Sequence, residues 1–166
     1  MILSIDDWRF DVDLAATMEY SAAEAAEHCD CAYCRNFYEA VDDTYPGLRL
    51  FLAQFGLDIE APDELMPFDT EDGMSYDAVF AICGKILTVG REMIACCDAY
   101  VAPEADAQIE HSCFKLCFYL TVNDLHMPWV LDEPMKDVIS PANQPAFMKR
   151  MWDKFLGKQP KSKLNS

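Results

Sequence analysis

Trp8, Phe10, Val12 and Leu14 alternate with Arg9, Asp11 and Asp13 near the start of the chain. A period of two puts the apolar set on one face, so this stretch predicts a strand with one buried side. The alanine-rich segment MEYSAAEAAEHC that follows predicts a brief helix. From Cys34 the period changes: Cys34, Phe37, Tyr38 and Val41 recur at helical spacing. That helix is expected to stop near Asp43, because Pro46 pushes Tyr45 out of the α region. Pro46 suits the first turn of a second helix, capped near Thr44 or Tyr45. Leu48, Phe51, Leu52 and Phe55 form its apolar stripe, and Gly56 falls where a left-handed C-terminal residue belongs. The two helices together predict an αα-hairpin.

The segment DIEAPDELMPFDTEDG, rich in acids and broken by two prolines, predicts an exposed connector. Beyond it the pattern becomes β, from Tyr76 to Val122. DAVFAICGKILTVG is apolar, with Gly84 marking a bulge or turn, and EMIACCDAYV predicts the next strand. APEADAQ reads as a loop. In CFKLCFYLTV, Phe114, Leu116, Phe118, Leu120 and Val122 line one face; Cys113, Lys115, Cys117, Tyr119 and Thr121 line the other. A proline-rich surface segment leads to Pro145, which can open a last helix. There Phe147, Met148, Met151, Trp152, Phe155 and Leu156 form an apolar stripe, with Lys149, Arg150 and Lys154 off it. Strands in succession with helices set apart predict an α+β fold. The expected architecture is an N-terminal strand and helical hairpin packed on a mainly antiparallel sheet, with a C-terminal amphipathic helix. Residues 1–157 form one domain on this reading, and 158–166 a frayed basic tail.

At 166 residues and 52% hydrophobic, the chain can bury a core of its own. The net charge of −16 is unevenly spread: residues 1–148 carry 28 acids against 7 bases, whereas the last 18 carry six bases and one acid. So acidic a body repels phosphate, which argues against nucleic-acid binding. The N-terminal MILSIDDWRF lacks a basic segment followed by an apolar run, and no stretch reaches the roughly 18 apolar residues of a membrane helix. The expectation is a cytoplasmic protein, off the membrane, whose eight cysteines are thiols or ligands and not disulfides.

The cysteines concentrate in HCDCAYCRNF, where Cys29, Cys31 and Cys34 follow C-x-C-x-x-C after His28. Thiolate is a strong ligand for zinc, and four donors close a tetrahedron. Zinc is therefore the candidate cofactor, with Cys29, Cys31, Cys34, His28 and His111 as candidate ligands. His28 adjoins Cys29, and adjacent residues rarely reach one ion; Cys113, Cys117 and His126 are further sources of a fourth donor. The competing readings are buried reduced thiols, an iron–sulfur cluster, and a redox pair formed by Cys31 and Cys34 at a helix N-terminus. Cys96 and Cys97, adjacent on an expected strand, should face opposite ways and pack. Arg35 and Asn36 are expected to make a salt bridge and a solvated or capping amide. No glycine-rich phosphate loop and no calcium-loop pattern is present.

The segments CDCAYCRNFYEAV and YPGLRLFLAQFGLDIEAPDELMPF together resemble a group of small uncharacterised bacterial proteins sharing a C-x-C-x-x-C-x-N-F segment followed by a tyrosine–proline and phenylalanine–glycine stretch. The matching residues are Cys29, Cys31, Cys34, Asn36, Phe37, Tyr45, Pro46, Phe51, Leu52, Phe55, Gly56, Asp58 and Pro62. The resemblance implies a domain family and brings no activity with it. The resulting expectation is a non-catalytic, protein-binding domain with a structural cysteine cluster. Its partner is a second protein, or a second copy of the chain through the C-terminal helix. The alternatives are a thiol-based redox protein or enzyme using Cys31 and Cys34, and an acidic decoy of nucleic acid that captures a basic protein.

Overall fold

The alternation at Trp8–Val12 folds as expected: Trp8, Phe10 and Val12 are buried and Arg9 is exposed. The computed structural model describes residues 1–26, 29–70, 73–104 and 116–135. These form an α+β fold, with β1 (Ile2–Ile5), β2 (Trp8–Val12), α1 (Leu14–Ala25), α2 (Ala32–Thr44) and α3 (Leu48–Ala53) preceding the rest of the sheet. There follow β3 (Glu64–Thr70), β4 (Gly73–Thr88), β5 (Ile94–Cys96), β6 (Ala99–Glu104) and β7 (Cys117–Met127). The sheet order is β1-β2-β4-β7-β6-β5, with β3 also paired to β4, and every pair is antiparallel. The expected C-terminal helix and basic tail, His28, His111 and Cys113 lie outside the described residues.

β4 organises the sheet. Its first part, Gly73–Val79, pairs with β3, and its last part, Gly84–Thr88, pairs with β2, while β7 runs along it from Met74 to Cys83. Gly84, expected at a bulge or turn, lies instead in mid-strand at a close approach, and the irregularity in the β2–β4 pairing falls between Arg9 and Phe10. The φ of Gly84 is +146°, and a Cβ there would collide with the Asp11 carbonyl oxygen of β2.

Leu14, expected to continue the first strand, instead opens α1. Asp13 caps it, its Oδ1 accepting from the Ala16 amide at 3.2 Å. α2 and α3 appear in succession as the spacing predicts, joined by Tyr45–Gly47. The cap of α3 is Gly47, not Thr44 or Tyr45. Thr44 belongs to α2, where its hydroxyl donates back to the Ala40 carbonyl at 2.8 Å. α1 packs on β4 and α2 on β7. The aromatic core joins the layers: Phe10 meets Phe55 edge-on at 5.3 Å and stacks with Phe118 at 5.4 Å. Each such fully buried side chain contributes about 1.5–3 kcal/mol by leaving water.

Three expectations are corrected. The acidic connector contains β3, which is half-buried along most of its length. Leu65, Met66 and Phe68 give it enough apolar surface, and an edge strand tolerates Pro67. EMIACCDAYV is not one strand but a hairpin, turning at Cys97 and Asp98 with φ of +52° and +63°. Left-handed geometry at both central residues is the type I′ turn, which matches the twist of the flanking strands. Finally, APEADAQ is not wholly loop, since β6 runs through Pro103 to Glu104.

Candidate metal centre

α2 begins immediately after the cysteine-rich turn. Its N-terminal capping residue is Cys31, extended at φ −68° and ψ 157°, with no side-chain hydrogen bond to the helix's first amides. The Cys31 carbonyl accepts from the Arg35 amide at 3.0 Å, so the helix ladder starts there. Cys34 then lies one turn in, buried, whereas Cys29 and Cys31 are exposed. An extended residue before a helical turn brings the C-x-C and C-x-x-C spacings to one point. The ligand atoms of Cys29, Cys31 and Cys34 all lie within 4.8 Å of one another. Sulfurs bound to one tetrahedral zinc are separated by about 3.8 Å, given a Zn–S bond near 2.3 Å. The three donors are thus within a small side-chain adjustment of that geometry.

The electrostatics divide the three. A hydrogen bond from the Cys31 backbone, with the neighbouring cysteine side chains, holds the Cys29 thiol below its usual range. Burial pushes the Cys34 thiol well up, and its two neighbours raise it further. The first amides of a helix carry partial positive charge, which offsets part of the cost of gathering thiolates there. A divalent cation bound there would remove the remainder, because three close thiolates repel one another and each would gain from a shared positive ion.

What holds α2 in place is Asn36. It is fully buried, not the solvated or capping amide expected from sequence. Its Nδ2 donates to the Tyr76 hydroxyl at 3.1 Å and to the Pro128 carbonyl at 3.2 Å, and its Oδ1 accepts from the Val130 amide at 2.8 Å. The Tyr76 hydroxyl in turn donates to the Tyr33 carbonyl at 3.0 Å. Burial pushes the Tyr76 phenol up to about 12, so it stays a donor across the physiological range. Phe37 packs edge-on against Tyr76 at 5.4 Å, and Tyr33 against Trp129 at 6.0 Å. Arg35 makes the expected salt bridge, to Glu133, and its Nε donates to the Asp30 carbonyl at 3.1 Å. The turn bearing Cys29 and Cys31 is thereby fastened from both sides, to β4 through Tyr76 and to the segment after β7 through Asn36 and Arg35.

Two of the suggested fourth donors are placed elsewhere. Cys117 is buried in β7 opposite Cys83 of β4. His126, also on β7, has an exposed ring 3.2 Å from Asp124. Neither joins the three sulfurs, which form the one cluster of three or more metal-donor side chains among the described residues. The sequence carries one signal for Asn36 as a site-building residue. Asn36, Phe37, Ala40 and Val41 occupy one face of α2, so a polar amide sits in the middle of the buried stripe.

No helix among the described residues is long and apolar enough to cross a membrane. Compared with known proteins, the chain matches no family model, no curated protein and no solved structure.

Proposed function

We propose that this chain is a non-catalytic, cytoplasmic binding domain for a protein partner, in which Cys29, Cys31 and Cys34 hold one structural zinc ion. The observation that carries the reading is the convergence of three sulfurs within 4.8 Å at the start of a helix that Asn36 fastens to the sheet. A closed structural zinc site needs four donors. The fourth we assign to His111, with His28 the alternative. Bound there, the ion would lock the turn before α2 to the body of the fold and so shape the surface offered to a partner.

The rival is a redox pair of Cys31 and Cys34. Proximity favours it, but a resolving thiol as buried as Cys34 is a poor nucleophile. Metal analysis of the full chain, purified without a histidine tag, separates the two. The zinc reading expects about one zinc per chain, lost in Cys31→Ser together with thermal stability, and lost or weakened in His111→Gln or His28→Gln. A metal-free protein of unchanged stability, in which Cys31 and Cys34 cycle between dithiol and disulfide, overturns it.

A further inference from the structure

We infer that Cys96 and Cys97, at the tip of the β5–β6 hairpin, form a vicinal dithiol site that captures one trivalent arsenical through both sulfurs. Side chains of adjacent strand residues point to opposite faces, so neighbouring cysteines ordinarily keep their sulfurs apart. Here they do not. The backbone turns left-handed at Cys97, φ +52°, and brings its Sγ to 3.4 Å from the Cys96 Sγ. A two-residue type I′ turn prefers Asn, Asp or Gly at its centre, because other residues are strained at positive φ. Asp98 follows that rule and Cys97 breaks it. Single residues held in sparsely populated backbone regions cluster at binding and functional sites, where surrounding structure fixes them.

The surroundings fix this one. The Cys97 sulfur sits against Gly47 at the α2–α3 junction, so closely that a Cβ at position 47 would collide with it. Cys97 is nevertheless exposed and Cys96 is half-buried, so a small electrophile can reach both. The chemistry of the pair selects its ligand. Among the described residues no third cysteine, histidine or carboxylate joins it, which disfavours zinc and its four donors. A linear two-coordinate ion needs its sulfurs further apart. Pyramidal trivalent arsenic takes two sulfurs in a bent arrangement, which this spacing suits.

The capture is a condensation without redox change. An arsenical bearing two hydroxyls loses both As–O bonds and gains two As–S bonds, and each thiol proton leaves with a hydroxide as water. Burial pushes the Cys96 thiol up to about 12, so the exposed Cys97 makes the first As–S bond and Cys96 closes the ring.

The test uses the reduced full chain with phenylarsine oxide, followed by a glutathione challenge that strips arsenic from single thiols, and intact mass spectrometry. Wild type, Cys96→Ser, Cys97→Ser and the double variant are compared, so that any uptake by the Cys29–Cys31–Cys34 cluster is common to all four. Each single variant is expected to carry one phenylarsenic group fewer than wild type, and the double variant no fewer than the singles. Equal uptake by all four proteins, or a loss seen only in the double variant, overturns the inference. Should a serine variant fail to fold, wild type decides alone. One equivalent at this pair must protect Cys96 and Cys97 together from alkylation in a peptide map, and alkylation of either one in the arsenic-treated chain overturns the assignment.

Discussion

Replacing Asn36 with alanine should cost about 3 kcal/mol of folding stability, and the figure follows from its three partners. The Tyr76 hydroxyl is buried with its ring; it keeps its bond to the Tyr33 carbonyl but loses the one it accepts from Asn36. A polar atom left short of a partner in the core costs about 1–3 kcal/mol. The Pro128 carbonyl and the Val130 amide lie nearer the surface, where water can replace the amide, so each loses about 0.5–1.5 kcal/mol. Partners in one network do not add in full, which brings the total to about 3 kcal/mol. For a chain of this size that lowers the melting temperature by roughly 6–12 °C. Urea unfolding followed by far-ultraviolet circular dichroism measures the difference directly. Asn36→Asp adds a sign. Burial would raise the new carboxyl's folded pKa above its unfolded value, so the penalty is absent at pH below the ordinary carboxylate range. It grows as pH rises through the unfolded and then the folded value. An alanine variant within 0.5 kcal/mol of wild type, or an aspartate variant most stable at neutral pH, would refute the role assigned to Asn36.

Gly84→Ala should destabilise by about 2–4 kcal/mol, combining positive-φ strain with a steric clash against the Asp11 carbonyl; a denaturation midpoint close to wild type would contradict the close approach of β2 and β4. Burial raises the Asp77 carboxyl above its usual range despite the amide of Asp124 donating to it at 2.8 Å. Its charge is thus a penalty that is complete above the folded pKa and disappears below the unfolded one. Asp77→Asn is therefore expected to raise the thermal midpoint at pH 7 and to lose that advantage as the pH falls through the carboxylate range, which a pH series of melts would show.

The parts of this molecule that were legible in its sequence are those decided locally. The period of two at Trp8–Val12 and of 3.6 in α2 each report a single buried face, and three cysteines within six residues can meet only near one point. The parts that were not legible depend on remote partners. β1 and β3 are edge strands whose one-sided pairing and partial burial leave a weak pattern. Pro67, which reads as a breaker, is harmless where one ladder is missing. Asn36 looks like a surface amide because two of its partners, Pro128 and Val130, are more than ninety residues away. Cys97 reads as a strand residue because a type I′ turn favours Asn or Gly at its centre, and a cysteine there sends no turn signal.

The long reach of the Asn36 clasp has a consequence for biosynthesis. Ninety-four residues separate it from Val130, and a ribosome adding about 5–20 residues per second needs about 5–20 s to deliver them. Tyr76 is delivered earlier, but until Val130 follows it the nascent chain presents its C-x-C-x-x-C thiols on a helix that the clasp holds from one side only. If the cluster takes an ion, as proposed, that ion would be drawn from the supply around the translating ribosome, and the closing of the clasp would seal that choice into the finished fold.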